Sequence, residues 1–215
     1  MYYPARITET TAPMPDRTES FPKRDDALAL MEEWTASDSL RKHMLAVEGA
    51  MRAYAVRFGE EVERWGLAGL LHDFDYERLP NEAHAPDAGH PAEGVRLLRS
   101  MGYPEDVLQA ILGHADYTGV VRDTRMSKAL FAVDELCGLI TACALVRPSR
   151  SVNDLEPASV RKKMKDKAFA RGVSRDDVVR GAAELGVELD VHIAFVIGAL
   201  RERADRLGLA GNAAS

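Results

Sequence analysis

Cysteine is almost missing from this chain: Cys137 and Cys143 are the only two in 215 residues. They lie six positions apart in one helix-patterned stretch, about 9 Å along a helix axis at about 1.5 Å per residue. Their side chains also point to different faces, so a bridge would break the helix. No second close pair exists to make them zinc thiolates. They read as small core residues in a reducing, cytoplasmic setting. Long apolar runs are missing too. The stretches 129–133 and 136–146 are interrupted by Asp134, Glu135 and Gly138 and fall short of the roughly 20 residues that span a bilayer. The opening Met1-Tyr-Tyr-Pro-Ala-Arg6 lacks the apolar segment of an export signal. Positive charge is in deficit, with 28 Lys and Arg against 34 Asp and Glu and a formal net charge of -6. That balance disfavours nucleic-acid polymers and anionic membranes as partners and leaves small molecules. Oligomeric state is open.

What is present is helical pattern. Residues 1–24 hold Pro4, Pro13, Pro15 and Pro22 with threonines between them, and without apolar periodicity they are expected to form a flexible arm. From residue 25 to 207 the spacing predicts an all-α domain with no strand alternation and no internal repeat. Asp25 or Asp26 and Ser37 or Asp38 are candidate N-caps, Gly59 a stop, Pro91 and Pro104 helix starts, and Pro148 a second stop. Expected helices include 60–74, 127–145, 157–169 and 190–207. The small, polar segment 208–215 is expected to fray.

Chemistry concentrates on histidine, of which the chain has six. His72 and Asp73 are adjacent at the end of the run Trp65-Gly-Leu-Ala-Gly-Leu-Leu71. Imidazole and carboxylate can bind one divalent ion together, and the carboxylate has a second oxygen for another. His43 shares a helix face with Leu40, Val47, Ala50 and Tyr54, and Asp134 shares one with Leu130, Cys137 and Thr141, so both point inward. A buried lone carboxylate is costly unless a cation or hydrogen bonds meet it. His90 and His114 follow in the series, whereas His84 and His192 stand outside it.

The ordered series His43, His72-Asp73, His90, His114, Asp134 resembles the HD-domain superfamily of metal-dependent phosphohydrolases, over roughly residues 25 to 205. The stretches 70–78, 114–119, 129–136 and 162–168 are similar to a group of predicted HD hydrolases within it. The resemblance implies a single HD-type helical bundle whose minimal metal set is His43, His72, Asp73 and Asp134. The extra His90 and His114 imply a second ion, with Asp73 as the bridging, catalytic carboxylate. The nitrogen and carboxylate donors suit Mn, Fe, Co, Ni or Zn without choosing among them. The implied activity is hydrolysis of a small anionic phosphate ester, a nucleotide or phosphorylated metabolite, by a metal-bound hydroxide. Two rivals share the pattern: a di-iron oxygenase of the same superfamily, and a regulatory module with a non-catalytic site.

Substrate contacts are expected from Tyr117, beside Asp116 and Thr118 just after His114. A second set is expected from Lys162, Lys163 and Lys165, in a segment where nine basic residues face three acidic ones between Arg147 and Arg175.

Overall fold

The computed structural model describes residues 21–211, and among them the chain is an all-α bundle without strands. Ten α-helices follow one another: α1 (Arg24–Trp34), α2 (Asp38–Phe58), α3 (Val62–Leu71), α4 (Ala92–Ser100), α5 (Glu105–His114), α6 (Arg125–Leu145), α7 (Pro157–Met164), α8 (Arg175–Leu185), α9 (Leu189–Arg201) and α10 (Ala204–Leu207). One 3₁₀ turn, Asp116–Thr118, lies between α5 and α6. No helix among the described residues is long and apolar enough to cross a membrane.

Local chemistry explains most boundaries. The Ser37, Thr124 and Ser174 hydroxyls accept from Leu40, Ser127 and Asp177 N–H to open α2, α6 and α8. Gly59, at φ +69°, closes α2 in the left-handed conformation that a side chain would resist. The expected cap of α1, Asp25 or Asp26, is displaced by two or three positions. Lys23 occupies it, and Asp26 reaches back to accept from the Lys23 N–H at 3.0 Å.

The two longest helices, α2 and α6, pack against each other and carry the core. Val47, Ala50, Met51 and Tyr54 on α2 are fully buried, as are Leu130, Val133, Leu136 and Cys137 on α6. Helix α3 lies along α2, and burial of Leu67, Leu70 and Leu71 contributes roughly 1.5–3 kcal/mol for each side chain. Close approach there requires Gly69, because a Cβ would sit 2.9 Å from the Val47 and Glu48 backbone. Helices α5 and α8 pack on α6.

Four sequence expectations are corrected. Helix α3 stops at Leu71 rather than Phe74 and continues as tight turns through residue 79. Helix α7 stops at Met164 rather than Phe169, and in the turns that follow it the Arg175 guanidinium donates to the Phe169, Ala170 and Val173 carbonyls. The last expected helix is two, broken at Glu202–Arg203. The segment expected to fray is folded at its start: Leu209 is buried, its carbonyl accepts from Val152 N–H at 2.9 Å, and Ala210 bridges Ser151. Residues 1–20 of the expected arm and 212–215 of the tail lie outside the described residues. Phe21, also assigned to that arm, packs against the core.

Candidate metal centre

Five chain segments bring donors to one spot. His43 comes from the second turn of α2, and His72 and Asp73 from the end of α3. His90 comes from the loop before α4, His114 from the last residue of α5, and Asp134 from the middle of α6. The end of α3 matters most. Successive residues on an ideal helix diverge by about 100°, but here the chain leaves α-geometry, with Phe74 N–H on Leu71 C=O and Tyr76 N–H on Asp73 C=O. His72 Nε2 and Asp73 Oδ2 consequently lie 3.3 Å apart.

The donors form two groups that share Asp73. In the first, His43 Nε2 is 2.9 Å from Asp134 Oδ1 and 3.3 Å from His72 Nε2, and His72 Nε2 is 3.4 Å from Asp134 Oδ1. Asp73 Oδ2 faces this group. In the second, Asp73 Oδ1 is 3.4 Å from His90 Nε2 and 3.5 Å from His114 Nε2. Ligands about 2.0–2.2 Å from one ion, at tetrahedral or octahedral angles, stand roughly 2.9–3.5 Å from each other. The distances given above fall in that range. His43–His72–Asp134 and Asp73–His90–His114 can each hold a metal ion.

The far sides of the rings settle which nitrogen faces inward. His72 Nδ1 donates to Gly69 C=O at 2.9 Å and His114 Nδ1 to Ile111 C=O at 2.5 Å. A carbonyl only accepts, so both Nδ1 atoms carry protons and each Nε2 presents its lone pair to a metal when the ring is neutral. His90 Nδ1 donates to Asp75 Oδ1 at 2.8 Å, and Asp75 Oδ2 accepts from Gly94 N–H at 3.1 Å. Asp75 is 1% exposed, a buried carboxylate that orients His90 instead of binding in the cluster. Sequence reasoning passed it over. Its spacing from the dyad carried a signal only once His90 was known to lie beside it.

Electrostatics at the centre call for cations. Burial works against charge on His72, yet Asp73 and Asp134 hold its imidazole well above the ordinary histidine range. His114 is raised as well, with burial opposed by its contacts to Asp73. Burial likewise opposes ionisation of Asp73 and Asp134, and the surrounding imidazoles still hold both carboxyls below their ordinary value. Protons on the imidazoles thus balance two carboxylates, the role a metal takes in a site of this composition. Next to Asp134, burial and the neighbouring carboxylate push Glu135 up to about 7, and it accepts from Ser174 N–H at 3.0 Å.

An open cleft of about 930 Å³ lies over the donors, lined by His43, Asp73, His90, His114 and Asp134. Tyr117 lines it as expected, its ring stacked on His84 at 4.7 Å, but its hydroxyl is committed to His90 C=O at 3.0 Å. Asp116 also lines the cleft and is tied to Arg122 and Arg180, while the Thr118 hydroxyl donates to Leu112 C=O. Lys162, Lys163 and Lys165 are not brought to the site. Lys162 and Lys165 are exposed, and Lys163 lies over the Phe169 ring. They sit on and just beyond α7, a short helix packed on α6 and α9, and none of them lines the cleft. Of the two histidines outside the series, His84 reaches the cleft wall without joining the donors. His192 is buried between Tyr54 OH and Ala132 C=O.

The family model for the HD domain matches residues 40–136, an interval containing all six donors. No curated protein and no solved structure matches the chain. This match and the two donor clusters support metal-dependent hydrolysis as the general activity.

Proposed function

We propose that this chain, which carries an HD domain over residues 40–136, is a dinuclear metal-dependent phosphohydrolase acting on a small ester with a single phosphoryl group. The observation that carries the reading is Asp73, which offers Oδ2 to the His43–His72–Asp134 group and Oδ1 to His90 and His114. A carboxylate shared in this way suits two ions a few ångströms apart. Such ions, when bound, lower the pKa of water toward neutrality and offset charge developing on phosphoryl oxygens.

The chain's own residues would do the rest. Backbone carbonyls and Asp75 hold three imidazoles with Nε2 facing inward, so the donors need little rearrangement to bind. Asp73, 16% exposed at its side chain, forms the floor of the cleft where a phosphoryl group would sit. The charge of the walls supports the restriction to one phosphoryl. Among the described residues the cleft lining includes Glu82, Asp116, Glu135 and Asp177 but no lysine or arginine. Arg180 already pairs Asp116 and Asp177 and Glu135 is raised to about 7, so a polyphosphate would find no lining cation beyond the donor cluster to hold its further charges. Two buried free thiols, Cys137 and Cys143, support cytoplasmic placement.

The test is metal content and turnover together. The purified chain should hold about two divalent ions and, loaded with Mn without oxygen, release phosphate from a panel of monophosphate esters. Asp73→Ala should lose both properties and keep the helical spectrum. Turnover confined to ferrous iron plus oxygen would replace hydrolysis with an oxygenase. A chain without metal, whose melting is indifferent to chelators, would be a binding module.

A further inference from the structure

A second lobe of about 540 Å³ adjoins the cleft, and the two share Leu40, His43, Tyr76 and Gly138 as lining. Its far wall is apolar, formed by Ala142 and Leu145 of α6. Glu77 supplies its one carboxylate, and that carboxylate is already committed, accepting from Ala36 N–H at 2.6 Å and Ser37 N–H at 3.1 Å. The hydroxyls of Ser37, Ser39, Tyr76 and Thr141 and the shared His43 ring are the remaining polar groups. Tyr76 and Leu145 beside the lobe are 55% and 39% exposed. The lobe therefore offers neither free cation nor free anion, and exposed apolar surface instead.

Gly138 lies between the two spaces, in the interior of α6. Glycine is the least favoured residue there apart from proline, and close packing does not require it: a Cβ would meet only Val173 Cγ2, at an ordinary 3.6 Å. Gly69 and Gly181 differ, since a Cβ on either collides with neighbouring backbone. Gly138 lines both the donor cleft and the lobe, so a larger side chain there would enter the space they share.

We propose that the second lobe receives the organic group of the substrate, an uncharged and mainly apolar group that crosses Gly138 from a phosphoryl group held at the donor cluster. This rests on the phosphate-ester reading above and adds the class of the group esterified. Continuity of the lobe with the metal cleft is what selects this occupant. A group of that chemistry buries the Leu40, Tyr76 and Leu145 faces and leaves no charge unpaired.

The experiment is calorimetric titration of the Mn-loaded full chain with methyl-, butyl- and hexylphosphonate, which cannot be hydrolysed. In the native chain affinity should rise about twofold to fourfold per added methylene. Gly138→Ala should weaken that increment while raising Tm by about 2–4 °C, as expected for removing a helix-interior glycine. Gly138→Leu, with its folding checked by melting, should abolish the increment. Equal affinity for the three phosphonates, or an increment that survives Gly138→Leu, would overturn the assignment. An increment appearing only after removal of residues 2–20 would give the lobe to the N-terminal segment, and one appearing only on dissociation of a dimer would give it to a second copy; either overturns it. Failure to bind even methylphosphonate would remove the phosphate-ester reading, and the subsite with it. Binding that ignores chain length would remove the subsite alone.

Discussion

At the scale of single residues, Asp75 shows how a buried carboxylate can serve a metal centre without touching it. One oxygen accepts from His90 Nδ1 and the other from the first turn of α4, at Gly94 N–H. Glycine at 94 is what lets the carboxylate approach, since a Cβ there would overlap it. Asp75→Asn keeps the size but replaces one accepting oxygen with an NH₂ group that faces another donor. Loss of such an orienting contact costs about 10–100-fold in metal affinity. Titration with Mn should show that loss chiefly at the His90–His114 group, with the helical spectrum unchanged, and undiminished affinity would remove Asp75 from the site. The six candidate donors were legible because their ordered series resembles the HD pattern, with His43, His72 and Asp134 at inward positions of periodic helices. Asp75 was not, because the residue it serves lies 15 positions away. The lysines failed for the opposite reason. A run of charge reveals that a segment is basic, whereas only packing decides which way the segment faces.

At the scale of elements, capping chemistry carried well from sequence to structure. Ser37, Gly59 and Pro148 mark boundaries where a hydroxyl acceptor, a left-handed φ or a missing N–H leaves little alternative. Local pattern gave no warning of the turns after α7, where the Arg175 guanidinium binds the Phe169, Ala170 and Val173 carbonyls. The same contrast separates two glycines. Gly138 can gain a methyl group in open space, but at Gly69 the methyl would press on the α2 backbone at 2.9 Å. Gly69→Ala should therefore cost about 1–3 kcal/mol despite its better helix propensity. Differential scanning should show Tm falling by several degrees, opposite in sign to Gly138→Ala. An unchanged or raised Tm would mean that α2 and α3 are not held at this separation.

At the scale of the molecule, the metal centre couples stability to pH. Without metal, His72 and His114 have raised pKa values in the folded chain. Their contribution to stability is full below the unfolded value of about 6.5 and is lost as pH rises through the folded values. Asp73 and Asp134 are depressed, so theirs is present above about 4 and lost as pH falls through the lowered values. For this cluster the metal-free chain is most stable between about pH 4 and 6.5. Metal binding requires neutral imidazoles and releases their protons, so affinity rises with pH. Removing metal should lower Tm more at pH 8 than at pH 6, and about 2.7 kcal/mol separates the forms when free metal is 100 times Kd. A chelator-induced drop of the same size at both pH values would contradict this proton linkage.

The amino-acid sequence by itself determined that the chain is helical and which side chains turn inward, because periodicity and capping act over a few residues. It also supplied the candidate donor series of four histidines and two aspartates, through its likeness to the HD pattern and the inward registers of His43, His72 and Asp134. Only the tertiary structure decided that Asp73 faces both ways, that Asp75 holds His90 and that no lysine or arginine among the described residues lines the cleft. Each of those depends on the relative placement of segments far apart in the chain, and packing, not local preference, sets that placement.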